Sequence, residues 1–247
     1  MMVLLAHISD LHLDGTERLT ERATRVMNYL RALPRPVDAV LVTGDIADHG
    51  DPAEYEEAAR ILDAPFPVLT CPGNHDVRGP YRKALLGEAA SDGPINKVHH
   101  IQGTAILMCD STIPGRDEGL LDGETLGWLA ATLGDLGGDV PVLIAFHQPP
   151  VVLHHPLPDS SRLTQADELA GLLAGHPEVV GVLTGHAHTA AASSFAGRPL
   201  LVAPGVVWTL RLPWEGEQFM DKSHPPVIAF HVLDEERRIT THYRAVL

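Results

Sequence analysis

Five short blocks of the chain carry residues that can do chemistry: Asp10-Leu11-His12, Gly44-Asp45, Gly73-Asn74-His75-Asp76, His147 and Gly185-His186-Ala187-His188. Each stands just past the C-terminal end of an apolar run, and in open α/β sheets that edge is where ligands bind. Pooled, they offer Asp10, His12, Asp45, Asn74, His147, His186 and His188, a field of oxygen and nitrogen donors without a thiolate. Such a field suits manganese, iron or zinc rather than a structural cysteine–zinc site. There are too many donors for one ion and enough for two. The Asp-x-His and His-x-His spacings put both members of each pair on one face if the backbone stays extended. Taken singly, each block has an ordinary explanation: a turn acid after glycine, loop polarity, a satisfied core histidine. Their recurrence at successive strand ends separates them from that background.

The hydrophobic pattern supplies the elements that must bring those tips together. Residues 3–9, 37–42 and 67–71 are apolar runs that predict buried strands, and helices are expected over 16–33, 52–62 and 80–86. The second of these opens with Pro52 in its first turn and Asp51 as its cap. A repeated β-α pattern predicts parallel strands joined by right-handed crossovers. Residues 97–101 and 104–109 flank Gln102-Gly103 as a hairpin, so antiparallel pairing enters. Next come a helix over 122–133, a strand over 140–146, a helix near 164–173 and a strand over 178–183. Pro149 and Pro150 forbid a regular helix directly after His147. From 189 onward only strands are expected, over 189–195, 199–203, 206–210, 227–233 and 239–246. The chain is therefore α/β with two sheets and no convincing linker.

Composition bounds the partners. A chain of 247 residues with 45% hydrophobic side chains can bury a sizeable core, and one domain over 1–247 is expected. The formal charge of −14 argues against a nucleic-acid backbone as ligand, while metal ions can still hold a small anionic substrate. No targeting segment and no apolar run approaching the ~20 residues of a membrane helix are evident, so a soluble, cytoplasmic protein without membrane partners is expected. Cys71 and Cys109 sit in apolar segments and read as buried thiols.

Asp-x-His, Gly-Asp, Gly-Asn-His-Asp, His and Gly-His-x-His, in that order from Asp10 to His188, resemble the signature of the calcineurin-like metallophosphoesterases. Asp110-Ser111-Thr112-Ile113-Pro114-Gly115 through Gly119 to Trp128-Leu129, together with Arg78 and His147-x-Pro-Pro, resemble the class III cyclic nucleotide phosphodiesterases, a group similar also to bacterial glycerophosphodiesterases. Gln148 departs from the pattern, which often has a second histidine there. The resemblance implies a four-layer αββα sandwich of two mixed β-sheets flanked by helices, with the metal site at the C-terminal strand ends. It implies two metal ions per chain (manganese, iron or zinc), one held by Asp10, His12, His188 and Asp45 and the other by Asp45, Asn74, His147 and His186. It implies in-line hydrolysis of a small phosphodiester, 3′,5′-cyclic nucleotides first, with a glycerophosphodiesterase or a broad-range phosphodiesterase and phosphomonoesterase as the alternative and a non-catalytic scaffold as a remote one.

His75 is then expected to face the leaving oxygen, with Asp76 fixing its tautomer. Arg78 and Asp48 are candidates for substrate contact, although surface charge and capping explain them as well. His49, His99, His100, His154, His155, His176 and His224 match no ligand position and are expected at the surface or in loops. The resemblance leaves oligomeric state open, a homodimer being common in similar proteins, and residues 206–224, with Trp208, Trp214 and Phe219, are expected either to cap the site or to meet a partner subunit.

Overall fold

A computed structural model describes residues 2–247. The first half of the chain gives β1 (Val3–Ile8), α1 (Glu17–Arg31), β2 (Ala39–Thr43), α2 (Pro52–Leu62), β3 (Val68–Cys71) and α3 (Arg78–Tyr81), which runs into a π-helical turn over Arg82–Leu86. Then come β4 (Lys97–Ile101), β5 (Thr104–Met108), α4 (Gly123–Leu136), β6 (Val142–Ala145), α5 (Pro156–Ser160), α6 (Ala166–Ala174) and β7 (Val179–Thr184). The remainder is all strand: β8 (Ala191–Phe195), β9 (Arg198–Val202), β10 (Thr209–Leu210), β11 (Met220–Asp221), β12 (Val227–Leu233) and β13 (Ile239–Ala245).

Local chemistry explains these boundaries. Helix α1 turns Leu19, Ala23, Val26, Met27 and Leu30 inward at helical spacing. Asp51 and Glu54 close a capping box at the start of α2, and the Asp122 carboxylate accepts from the Thr125 amide, 2.8 Å away, at the start of α4. Gln102 and Gly103 both take positive φ, 49° and 81°, so β4 and β5 are joined by the tight turn that strand twist favours.

Two mixed sheets result, ordered β13-β12-β1-β2-β3 and β4-β5-β6-β7-β9-β8, with β10 and β11 as a separate ribbon. Strands β1, β2 and β3 are parallel in the first sheet, as are β5, β6, β7 and β9 in the second. Val3, Leu5, Leu41 and Leu69 from the first sheet meet Ile106, Met108, Leu143 and Leu183 from the second in a mainly apolar inner layer. Outside it, α1 and α2 cover one sheet, and α4 and α6 the other. The four-layer αββα expectation is therefore met, and the parallel strands of both sheets end on one rim. Among the described residues no helix is long and apolar enough to cross a membrane.

Three expectations change. The strand over 206–210 shrinks to Thr209–Leu210, because the amides of Val206 and Val207 donate to the Ser9 and Asp10 carbonyls, at 3.0 and 3.1 Å, and are lost to any ladder. The helix over 80–86 starts earlier and widens into the π-helical turn, ending at Gly87 with φ 64°. Within the loop after His147 the structure adds α5, with Pro156 in its first turn and His155 as its cap. His155 is accordingly buried rather than at the surface, and its Nε2 lies 3.0 Å from the Arg211 carbonyl.

Candidate metal centre

The five blocks meet on the rim, and the backbone that brings them there is not extended. Asp10, His12, Asp45, His186 and His188 all take positive φ, between 46° and 66°. A non-glycine residue in that region costs about 1–3 kcal/mol. Five such residues rival the ~5–15 kcal/mol net stability of a whole domain, so the tips persist only because surrounding bonds dictate them. The Asp10 amide donates to the Gly44 carbonyl at 3.1 Å and the His12 amide to the Asp45 carbonyl at 2.9 Å, tying the β1 and β2 tips together. Gly44, at φ 94°, lets the β3 tip close in, since a Cβ there would lie 2.7 Å from the Gly73 Cα. Through these left-handed turns rather than pleating, Asp10 and His12 reach one ligand group, whereas His186 and His188 part to different groups.

Three groups of ligand atoms form, each with its atoms within 4.8 Å of one another: Asp10, His12 and His188; His12, Asp45 and His75; Asp45, His147 and His186. Asp45 Oδ2 sits at the junction, 3.5 Å from His12 Nε2 and 3.3 Å from His147 Nε2. His188 Nε2 lies 3.5 Å from Asp10 Oδ1, and His186 Nδ1 lies 3.2 Å from His147 Nε2. Outer contacts fix the rings. His147 Nδ1 donates to the Thr43 carbonyl at 2.6 Å and His12 Nδ1 to Asp48 Oδ1 at 2.8 Å, which turns each Nε2 inward.

The donor set fits cations on independent grounds. Both carboxylate oxygens of Asp10, which is 0% exposed, lack any hydrogen-bond partner among the described residues, as does Asn74 Oδ1. An orphaned buried carboxylate is costly unless something positive sits beside it. Electrostatics agree. Burial raises the Asp10 carboxyl to about 6. Burial also opposes ionisation of Asp45, but the adjacent His147 outweighs it and holds Asp45 well below the usual carboxylate range. His147 is pushed up to about 9, because Asp45 overcomes the desolvation. Burial, with the His147 charge behind it, takes His186 down to about 3, so its imidazole stays neutral. A cation placed among these groups displaces the His147 proton and satisfies Asp10.

One expected role is corrected. Asp76 does not touch the His75 ring; its carboxylate accepts from the amides of Ile46, Ala47 and Gly73 and from the Tyr55 hydroxyl, stapling the β2 and β3 tips together. His75 is steered instead by Asp48, whose carbonyl accepts from Nδ1 at 2.8 Å and whose Oδ1 lies 3.6 Å away. Arg78 donates to Asp110, Asp92 and Thr112 and is thereby a brace of the β3 loop. His75 stays 40% exposed at the mouth, where it and Asn74 line two cavities of about 200 and 580 Å³.

Two further contributors appear, of which sequence reasoning missed Ser161. Ser161 Oγ lies 2.9 Å from His186 Nε2, in a loop where one serine among polar residues gives no signal. Trp208 stacks on both His12 and His188. Of the two roles considered for its segment, residues 205–209 cap the site, while Trp214 further on is 72% exposed. Gln148 is fully buried and accepts from the Ser111 hydroxyl at 2.6 Å, away from the ligand atoms.

The family model for calcineurin-like phosphoesterases matches residues 3–190, which span all five blocks. The chain belongs to that family. Calcineurin-like phosphoesterases use a dinuclear metal centre, in keeping with the paired ligand groups around Asp45. Over 245 residues the chain is 33% identical to a probable cyclic nucleotide phosphodiesterase of Rhodococcus erythropolis, covering 94% of this chain and 80% of that protein. It is 31% identical over 242 residues to the glycerophosphodiester phosphodiesterase GpdQ of Enterobacter lignolyticus, covering 93% of this chain and 86% of that one. A dimetal phosphatase from Danio rerio shares the fold, with a TM-score of 0.73 at 15% identity and 99% and 96% of the two chains covered.

Proposed function

We propose that this calcineurin-like phosphoesterase is a metal-dependent phosphodiesterase acting on small phosphodiesters, with 3′,5′-cyclic nucleotides as its substrate class. One arrangement carries the reading: the buried Asp45 carboxylate belongs to two of the three groups of ligand atoms and lies between His12 and His147, with the orphaned oxygens of Asp10 and Asn74 nearby. We assign one ion to Asp10, His12, His188 and Asp45 and the other to Asp45, Asn74, His147 and His186, with manganese, iron or zinc as the candidates. Bound there, the ions activate water at neutral pH and neutralise charge on the phosphoryl oxygens.

The rest of the chemistry belongs to the chain. His75 Nδ1 donates a hydrogen bond to the Asp48 carbonyl, which leaves Nε2 to face the leaving oxygen at the mouth. Asp48 supports both that ring and His12. Asp76 acts on loop shape, while Arg78 braces the loop and also lines the 580 Å³ cavity, where it is a candidate for substrate contact. The 580 Å³ cavity beside His75, walled by Val77, Thr112 and Pro114, is of a size that takes one nucleoside. The whole chain acts as one unit, since the inner apolar layer draws on both sheets.

The glycerophosphodiester reading has its own support in the Enterobacter lignolyticus relative at nearly the same identity. A scaffold without catalysis is disfavoured because every ligand position holds a competent residue and His75 is present. Steady-state rates on 3′,5′-cAMP, 2′,3′-cAMP, bis-p-nitrophenyl phosphate and glycerophosphodiesters, each with added Mn²⁺, Fe²⁺ or Zn²⁺, rank these readings. Highest kcat/KM on 3′,5′-cAMP is the expected result. Preference for glycerophosphodiesters establishes the second reading, and no metal-dependent turnover on any substrate sinks the enzyme assignment.

A further inference from the structure

We propose that Trp208 is a positioning residue of the metal centre, its indole fixing the ring planes of His12 and His188; this rests on the metal-site reading above. The indole lies 5.0 Å from the His188 ring at an interplanar angle of 8° and 5.1 Å from the His12 ring at 28°. The two imidazoles are themselves 5.0 Å apart, so the three rings form one packed cluster. A metal-binding histidine ordinarily has its outer ring nitrogen held by a hydrogen-bond partner, which sets the ring's rotation. His12 has such a partner in Asp48, and His147 has one in the Thr43 carbonyl. His188 has none: its Nδ1 is buried and makes no hydrogen bond among the described residues.

What confines the His188 ring is the strap made by residues 205–209. Gly205 lies so close that a Cβ there would stand 2.8 Å from His188 Nδ1. The Gly205 amide and the Thr209 hydroxyl both donate to the His188 carbonyl, at 3.1 and 2.9 Å, which fixes the backbone but not the ring. The near-parallel indole supplies the missing restraint. The strap is itself anchored, since the Val207 amide donates to the Asp10 carbonyl at 3.1 Å and Arg22 Nε to the Val206 carbonyl at 2.8 Å. Lys222 Nζ stands 5.9 Å from the indole centroid, in range of a cation–π contact.

The test is Mn²⁺ titration of metal-stripped protein, read by intrinsic fluorescence and by atomic spectroscopy of bound metal, in the wild type, Trp208→Phe and Trp208→Leu. Trp208→Leu should bind one Mn²⁺ equivalent about 10-fold or more weakly, while Trp208→Phe, which keeps a stacked ring, stays close to wild type. Wild-type fluorescence should be quenched as Mn²⁺ binds, and that quench should vanish in Trp208→Phe, because Trp128 packs in the outer core and Trp214 lies in solvent. If apo Trp208→Leu melts early, the decision falls on the Trp208→Phe quench alone. Wild-type affinity in a folded Trp208→Leu, or a quench that persists in Trp208→Phe, overturns the role of Trp208. A wild type that binds no Mn²⁺ instead overturns the metal-site reading on which it rests.

Discussion

On one side of Asp45, Asp10, His12 and His188 are almost wholly buried beneath Trp208, whereas on the other His186 is partly exposed and its outer nitrogen meets Ser161. The first group is held by packing and by the strap that crosses it, with the Asp48 bond on His12 in addition. The second is held by hydrogen bonds, and it borders Asn74, His75 and the two cavities. A closed side and an open side around one shared carboxylate suit the proposed division of labour, in which one would retain an ion and the other leave room for a substrate. Rigid aromatic cover suits a site that must keep its geometry, and a wettable mouth suits one that must exchange ligands.

Removing the shared group tests the division most severely. Asp45→Ala should empty both sides together, with metal content falling and kcat/KM dropping on the order of 10³-fold; retention of one full equivalent of metal would show that Asp45 is not the junction. Next in size, His75→Ala should keep its metal yet lose about 10²–10⁴-fold in kcat, whereas Asn74→Ala should lower occupancy on the open side. Metal loss in the His75 variant would make that residue a ligand. A milder change, Asp48→Asn, should weaken metal binding by about 10–100-fold through His12, and calorimetric titration reads this directly.

The smallest effect concerns what lies behind the open side. His7 Nδ1 and His231 Nε2 lie 3.0 Å apart in the core, and His7 Nε2 meets the Thr43 hydroxyl at 2.9 Å, behind the carbonyl that anchors His147. Burial takes His231 down to about 3 and His7 well below its ordinary value, so the folded protein keeps both neutral while the unfolded chain protonates near 6.5. Between those limits the unfolded state binds more protons, so stability is intact above about pH 6.5 and is lost as pH falls toward 3. His231 alone should cost about 2 kcal/mol by pH 5. Urea melts of wild type and His231→Gln across that range check it: the slope should flatten in the variant, and equal slopes would remove the pair as its source.

Legibility in the sequence followed the range of the cause. Pro52–Leu62 and Val227–Leu233 were readable to the residue because a proline at the first turn and a run apolar except for His231 act locally. All seven expected ligand residues stand on the rim, six of them in the compact ligand groups and Asn74 at the mouth beside them. The strand expected over 206–210 failed because Val206 and Val207 spend their amides on Ser9 and Asp10, partners almost 200 positions distant. Asp76 was misassigned for a related reason. Adjacency to His75 suggested a contact, but a side chain at a turn points where the turn sends it, and this one is sent to Ile46 and Ala47.

By itself, the sequence determined which chemistry is possible. Donor types, their order and their place after apolar runs specify a two-ion site on a strand rim, because side-chain identity and hydrophobic periodicity are properties of neighbours in the chain. Only the tertiary structure decided how the site is held. Left-handed tips tied to one another, Asp48 behind His12 and His75, and Trp208 against His188 are pairings between distant segments. Their geometry exists only once two sheets have packed and brought their strand ends to one edge.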